Sequence, residues 1–369
     1  MIDEVFEATR SGIPFEPSSK PVPVEERARL LIDPGFGKVF TDHMAMIEYD
    51  EQDGWHDARV TARHAFTMDP ASPVLHYAQE IFEGMKAYRR PNGGAALFRP
   101  DANARRFAKS AIRMAMPPLP EEMFLESVRA MVRADREWIP ETEEGSLYLR
   151  PFMIANGSFL GMRSSTQFIY AVIASSVGSY FKGSSPTVSV WVTREYVRAA
   201  PGGTGEAKCG GNYAGSLVAQ GEAIRQGCDQ VVFLDAIERR WVEELGGMNV
   251  FFVFEDGSVQ TPPLDGTILH GVTRDSLITL ARDMGLTVRE EPYSIEQWKA
   301  DAESGRLREA FACGTAAVVT PIGRVKQADG EFLIGGEQTG RITSRLRSAL
   351  VDIQRGAAPD PHGWVQLVD

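Results

Sequence analysis

Apolar and polar residues alternate at 40–49, 95–98 and 146–154, and this period of two predicts three strands in the first half of the chain. Two stretches between them carry apolar residues at helical spacing. In 102–116, Phe107, Ile112, Met114 and Met116 supply a broad apolar face; in 121–138, Phe124, Leu125, Val128, Met131 and Val132 do the same. The second half mixes predicted strands at 187–192, 230–234, 249–254 and 309–313 with helices. One helix starts near Asn212. A clearer one covers 272–284, with Leu277, Leu280, Ala281 and Met284 on one face and Gly285 ending it; the last covers 340–354.

Strands do not alternate regularly with helices, so the pattern predicts an α+β fold rather than a doubly wound one. Residues 1–37, rich in proline and charge, read as an extended arm over the body, and GSYFKGSSP at 178–186 reads as a linker. The expected organisation is an N-terminal α+β domain at 1–177 with its arm, the linker at 178–186, and a larger C-terminal domain at 187–369. No internal repeat or low-complexity tract stands out.

Composition narrows the function classes. A chain of 369 residues, 43% hydrophobic and 24% charged, has the balance of a globular protein and the length of two domains. Its net charge of −11 argues against nucleic acid or an anionic membrane surface, although one pocket can still be locally positive. The start, MIDEVFEATR, lacks the apolar run of a signal peptide, and the apolar stretch near 248–254 is too short to span a bilayer. Three cysteines, Cys209, Cys228 and Cys313, show no paired spacing and suit a reducing compartment. A cytoplasmic location is expected, or an organelle matrix if a transit segment has been removed.

Candidate chemistry centres on APGGTGEAKCGGNY at 200–213, where Lys208 sits in a glycine-dense loop just before a helix. A solvated lysine is the ordinary reading of such a residue. A phosphate loop is disfavoured because Ala207 and Cys209 stand where that motif needs Gly and Ser or Thr. A Schiff-base lysine requires an amine that is partly desolvated and backbone slim enough for a flat ring to approach; Gly210 and Gly211 provide the room. Tyr213 could then bond a phenolic oxygen. TILHGVTR at 267–274 runs into a helix start whose free N–H groups and Thr273 hydroxyl suit a phosphate. GTA at 314–316 could present amides to a carboxylate, and Glu243 or Glu244 could keep a pyridine nitrogen protonated. Taken singly, each has a plainer reading: a capped helix, a tight turn, a surface acidic pair.

Six segments in register then resemble one family: LHYAQEIFEG (75–84), LYLRP (147–151), KCGGNY (208–213), ELGGMN (244–249), HGVTR (270–274) and CGTAA (313–317). The chain resembles the branched-chain amino acid aminotransferases among the fold-type IV pyridoxal-phosphate enzymes, and FGKVFTDHM at 36–44 resembles their larger form. The resemblance implies a two-domain α+β protomer in a homodimer or higher homo-oligomer, with pyridoxal 5'-phosphate between the domains. It implies ping-pong transamination of leucine, isoleucine or valine with 2-oxoglutarate. Carried over by motif, Lys208 holds the cofactor and shuttles the proton. Tyr213 meets the ring oxygen, Glu244 the ring nitrogen, and Arg106, Val272, Thr273 and Thr315 the phosphate. Thr315 and Ala316 would receive the substrate α-carboxylate, while Phe40, Phe82, Tyr148 and Tyr180 wall the side-chain pocket. Arg150 would meet the distal carboxylate of glutamate, and Tyr77 and Met162 would come from the neighbouring subunit.

Three positions depart from the family pattern. Gly247 replaces the threonine common in the larger members and so opens the substrate side. His270 stands where proline is usual. A redox C-x-x-C is replaced by Ala317-Val318-Val319-Thr320. Other fold-type IV enzymes remain as alternatives: D-amino acid aminotransferase, R-selective amine transaminase and aminodeoxychorismate lyase. From other classes come a phosphate- or nucleotide-binding protein using 202–209 and a relative that has lost catalysis.

Overall fold

A computed structural model describes residues 12–91, 93–178 and 186–368. The chain divides into two compact units. One comprises Met1–Tyr180, Ala207–Gly210 and Ile353–Asp369; the other comprises Phe181–Glu206 and Gly211–Asp352. The expected linker at 178–186 lies almost wholly outside the described residues. Two findings depart from the expected domain limits. The segment around Lys208 packs with the first unit, and so does the C-terminal strand, which pairs with a strand from the first hundred residues.

The first unit is built on one sheet: β1 (Val39–Asp50), β2 (Gly54–Ala62), β3 (Glu80–Phe82), β4 (Met85–Arg89), β5 (Ala95–Phe98), β6 (Ser146–Ala155), β7 (Gln167–Val177) and β17 (Val365–Val368). Their order is β17-β5-β4-β6-β7-β1-β2, with β3 also on β6, and every pairing is antiparallel. The residues of β6 alternate between buried and half-buried, the pattern of a strand with one face on a core.

The arm is extended as expected, except for helix α1 (Val24–Leu30). Phe15 bridges to Val60, the Ser18 N–H donates to His43 Nε2 (2.9 Å), and the Val22 N–H donates to Asp42 (2.9 Å). Asp42 and His43 of the FTDHM segment therefore hold the arm. A short helix, α2 (Pro73–Tyr77), precedes β3.

The core face of the sheet meets helices α3 (Pro100–Arg113) and α4 (Glu121–Ala134), whose Phe107 and Phe124 pack against Tyr170. Helix α3 stops short of the expected 116. Ile112, expected on its apolar face, is 67% exposed, because five residues beyond Phe107 the helix has turned about 500°, nearly to its opposite side. Helix α4 also ends early, and a short 3-10 turn places Trp138 in the core.

The second unit carries a mixed sheet in the order β10-β9-β8-β15-β14-β11-β12-β13, with β16 on β15. Its strands are β8 (Val188–Thr193), β9 (Gln230–Leu234), β10 (Val242–Leu245), β11 (Asn249–Phe254), β12 (Val259–Thr261), β13 (Val288–Glu290), β14 (Leu307–Gly314), β15 (Val318–Gln327) and β16 (Gly330–Leu333). All six residues of β11 are buried, which explains its continuous apolar run. Helix α5 (Gly210–Arg225) begins two residues before the expected Asn212, and α6 (Val272–Asp283) and α8 (Arg341–Arg355) fall where periodicity puts them. Helix α7 (Ile295–Ser304) was not expected, although its Ser294/Gln297 capping box is a local signal. No helix among the described residues is long and apolar enough to cross a membrane.

Candidate active site

Lys208 is held in the first unit by its own backbone. Its N–H donates to Ser110 Oγ on α3 (3.0 Å), and its carbonyl accepts from the Phe82 N–H at the end of β3 (2.9 Å). The side chain is half-buried, with Nζ 4.8 Å from the centre of the Phe82 ring. The glycines after it allow this seat: the Gly210 N–H bonds Glu80, and a Cβ at Gly210 would collide with that carboxylate.

Beside the lysine lies a buried ion pair. Arg106 grips both Glu83 oxygens through Nε and Nη2, each at 2.7 Å, and Asn103 adds a bond of 2.7 Å. Burial disfavours the Glu83 charge, but the Arg106 fork, the Lys208 charge and Asn103 outweigh it and hold the carboxyl below the ordinary range. A phosphate at Arg106 would be met by its third nitrogen, Nη1.

Arg150 donates to the Tyr148 hydroxyl (2.9 Å) and lies 4.8 Å from the Phe82 ring centre; its Nε is buried without a hydrogen-bond partner. Gly84 is required here, because a Cβ would strike the Tyr148 hydroxyl. Phe82, Tyr148, Arg150 and Lys208 are thus neighbours. Phe40 stands at the start of β1, partly exposed, with the Arg63 guanidinium 5.1 Å from its ring centre. Tyr77 donates to the Leu160 carbonyl (2.6 Å), which ties it to the loop carrying Met162, 93% exposed. Tyr180 lies outside the described residues.

In the second unit Glu244 is buried and fully engaged. Oε1 takes Arg198 Nη1 (2.9 Å) and the Leu269 N–H (2.9 Å), and Oε2 takes Asn249 Nδ2 (3.3 Å). Asn249 also bonds the Leu269 carbonyl (3.1 Å), and its Oδ1 sits where a Cβ on Gly271 would fall. One asparagine therefore couples the Glu244 carboxylate to the start of α6, where Gly271 leads into Val272 and the buried Thr273. Gly247 lies beside Tyr213, since a Cβ added there would touch the ring at 3.5 Å. Gly314, which begins the Thr315–Ala316 turn, approaches Met248 and the Gly247 carbonyl in the same way. His270 is exposed and reaches Glu206 at 3.7 Å.

A phosphate-bearing pyridine would need these kinds of groups: an accessible amine, an ionised carboxylate, a helix start and slim backbone. The Gly271 cradle, which a Cβ would fill, and the arginine-held Glu244 fit that set. Glu83, Asn103, Ser110, Arg198 and Asn249 take part without having been singled out from the sequence. Glu83 and Asn249 stand inside recognisable motifs, whereas Arg198 has no local signal, its partner being far along the chain.

Residues 80–325 match the amino-transferase class IV family. A probable branched-chain-amino-acid aminotransferase of Streptomyces coelicolor is 54% identical over 98% of this chain and 99% of its own. Among solved structures, a branched-chain aminotransferase of Thermoproteus uzoniensis with norvaline is 28% identical with a TM-score of 0.74, covering 89% of this chain and 100% of that one. A branched-chain amino acid aminotransferase from the source abbreviated T.th., with pyridoxamine 5'-phosphate, is 28% identical with a TM-score of 0.72, covering 88% and 99%.

Proposed function

The chain belongs to the class IV aminotransferase family, and on that premise we propose that it moves the amino group of leucine, isoleucine or valine to 2-oxoglutarate, giving branched-chain 2-oxo acids and L-glutamate. The observation that carries this reading is Lys208, fixed through its backbone with its amine across the Phe82 ring and beside the Glu83–Arg106 pair. The cofactor is pyridoxal 5'-phosphate, which when bound supplies an electrophilic carbon for an amine and a ring that takes up the electrons released at the substrate Cα.

The chain's own residues do the rest. Lys208 anchors the cofactor, yields its place to the substrate amine, and its freed Nζ carries the proton taken from Cα. Glu244, kept ionised by Arg198, Asn249 and the Leu269 N–H, holds the ring-nitrogen proton. Tyr213 meets the ring oxygen. Val272, Thr273, Thr315 and Arg106 take the phosphate, and the Thr315–Ala316 turn takes the α-carboxylate. Phe40, Phe82, Tyr148 and Tyr180 form the apolar wall. Arg150 meets the distal carboxylate of glutamate, which lets one pocket accept an aliphatic and an acidic substrate in turn.

Leu75, Tyr77, Leu160 and Met162 leave apolar surface exposed around one loop. In the assembly proposed here a second copy covers it, and Tyr77 and Met162 serve the neighbour's site. Three free, buried cysteines suit the cytoplasm as its location. The direct test is to add leucine alone to the cofactor-loaded protein and follow its visible band, then add 2-oxoglutarate and assay glutamate. Loss of the band with leucine and its return with 2-oxoglutarate are expected. A protein that exchanges only D-alanine or R-amines, or that binds nucleotide and shows no band, would overturn the assignment.

A further inference from the structure

Glu243 and Glu244 are consecutive in β10, yet both are buried and both face the loop ahead of α6. In a regular strand they would point to opposite faces. A bulge removes the conflict: Val242 pairs with Leu234 and Leu245 with Val232, so β10 spends one residue more than β9 over the same interval.

The second glutamate has its own partners. Its Oε1 lies 2.6 Å from the Thr267 hydroxyl, which also lies 2.8 Å from Asp265 Oδ1. A threonine hydroxyl has one proton and cannot donate to two carboxylates at once. Two short contacts therefore require a second proton on one of the acids. Asp265 is exposed and Glu243 buried, so the proton belongs on Glu243, whose Oε1–H donates to Thr267 while Thr267 donates to Asp265. Glu243 Oε2 is buried with no donor, which is far less costly for a neutral carboxyl than for a carboxylate.

We propose that Glu243 is a positioning residue whose protonated carboxyl, held through Thr267 and Asp265, reserves Arg198 for Glu244. The role rests on the assignment of Glu244 to the cofactor's ring nitrogen. Arg198 has one guanidinium for two acids: Nη1 serves Glu244, the Gly205 carbonyl and the Thr267 carbonyl, and its Nε has no partner. An ionised Glu243 would need a donor for Oε2 and would draw Arg198 away. Glu244 would then bind a proton more readily and hold the ring's positive charge less well. The charged and titratable groups facing Glu243 are Asp265, Glu244 and Arg198, with Thr267 bonded to it. Burial pushes its carboxyl up to about 7, Asp265 and Glu244 push the same way, and Thr267 and Arg198 oppose them.

The cofactor-free protein tests the proton directly. A carboxyl whose proton affinity is raised by folding stabilises fully below its unfolded value of 4.5, and loses that contribution as pH climbs through about 7. Glu243→Gln has no proton to lose, so its melting temperature should gain on wild type between pH 5 and 8.5. A flat difference overturns the proposal whatever the cofactor does. Asp265→Asn, at an exposed position, should move the wild-type transition to lower pH; a transition that stays in place also overturns it. In the loaded enzyme, the kcat of Glu243→Gln relative to wild type should rise severalfold from pH 6 to 8.5 with KM ratios unchanged. A constant kcat ratio would sever Glu243 from Glu244. Absence of a visible band in both proteins would instead defeat the cofactor assignment, leaving the melting result intact.

Discussion

Single side chains carry most of the chemistry here, and two of them give sharp expectations. The backbone of Lys208, not its amine, makes the bonds to Ser110 and Phe82. Lys208→Ala should therefore keep the fold and its melting temperature while losing exchange altogether. Borohydride reduction of the loaded wild type followed by peptide mapping should place the pyridoxyl group on Lys208, and a label elsewhere would refute the anchor. Gly247 is the second case. A Cβ there would meet the Tyr213 ring at ordinary contact distance, so threonine can enter only by crowding Tyr213. A methylene-sized change in such a pocket is worth about 1–3 kcal/mol of discrimination. Gly247→Thr should lower kcat/KM for phenylalanine more than for valine. An unchanged ratio would show that Gly247 is a packing detail.

At the scale of elements, α6 begins where it does because Gly271 leaves room for Asn249. Gly271→Ala would drive a methyl into the Asn249 amide, which also binds Glu244 and the Leu269 carbonyl. Overpacking of this kind costs about 1–3 kcal/mol. Urea unfolding should report that loss, and affinity for pyridoxal phosphate should fall with it. Full stability with weakened cofactor binding would mean that Asn249 moves aside and only the phosphate end suffers. The bulge in β10 acts at the same scale, since without it one of the two glutamates would face away from the loop ahead of α6.

For the whole molecule, the expectation concerns assembly. Tyr77 and Met162 stand on exposed surface of the first unit, and Tyr77 is bonded into the Met162 loop. If a second copy covers this surface and receives these residues, mixed dimers of Lys208→Ala with an inactivating Tyr77→Ala should recover activity, because one site of each pair is then complete. About one quarter of wild-type activity is expected from random mixing, in which half of the dimers are mixed and each has one intact site of two. No recovery from verified mixed dimers would place each site within one chain.

Much of this protein was legible in its sequence, for a physical reason. Helices α4, α6 and α8 and strands such as β5, β9 and β11 were readable because each buries a face of its own, and burial leaves its period in consecutive residues. Lys208, Tyr213, Glu244 and the two small-residue turns were readable because a cofactor site uses contiguous motifs. Tertiary structure alone decided the rest. The placement of the Lys208 segment and of β17 with the first unit follows from pairing with distant residues. The same holds for the Glu83–Arg106 fork and for the choice of Arg198 to hold Glu244. Residues that meet across such separations share no local pattern, and the bulge that turns Glu243 toward Thr267 exists only in the register between two strands.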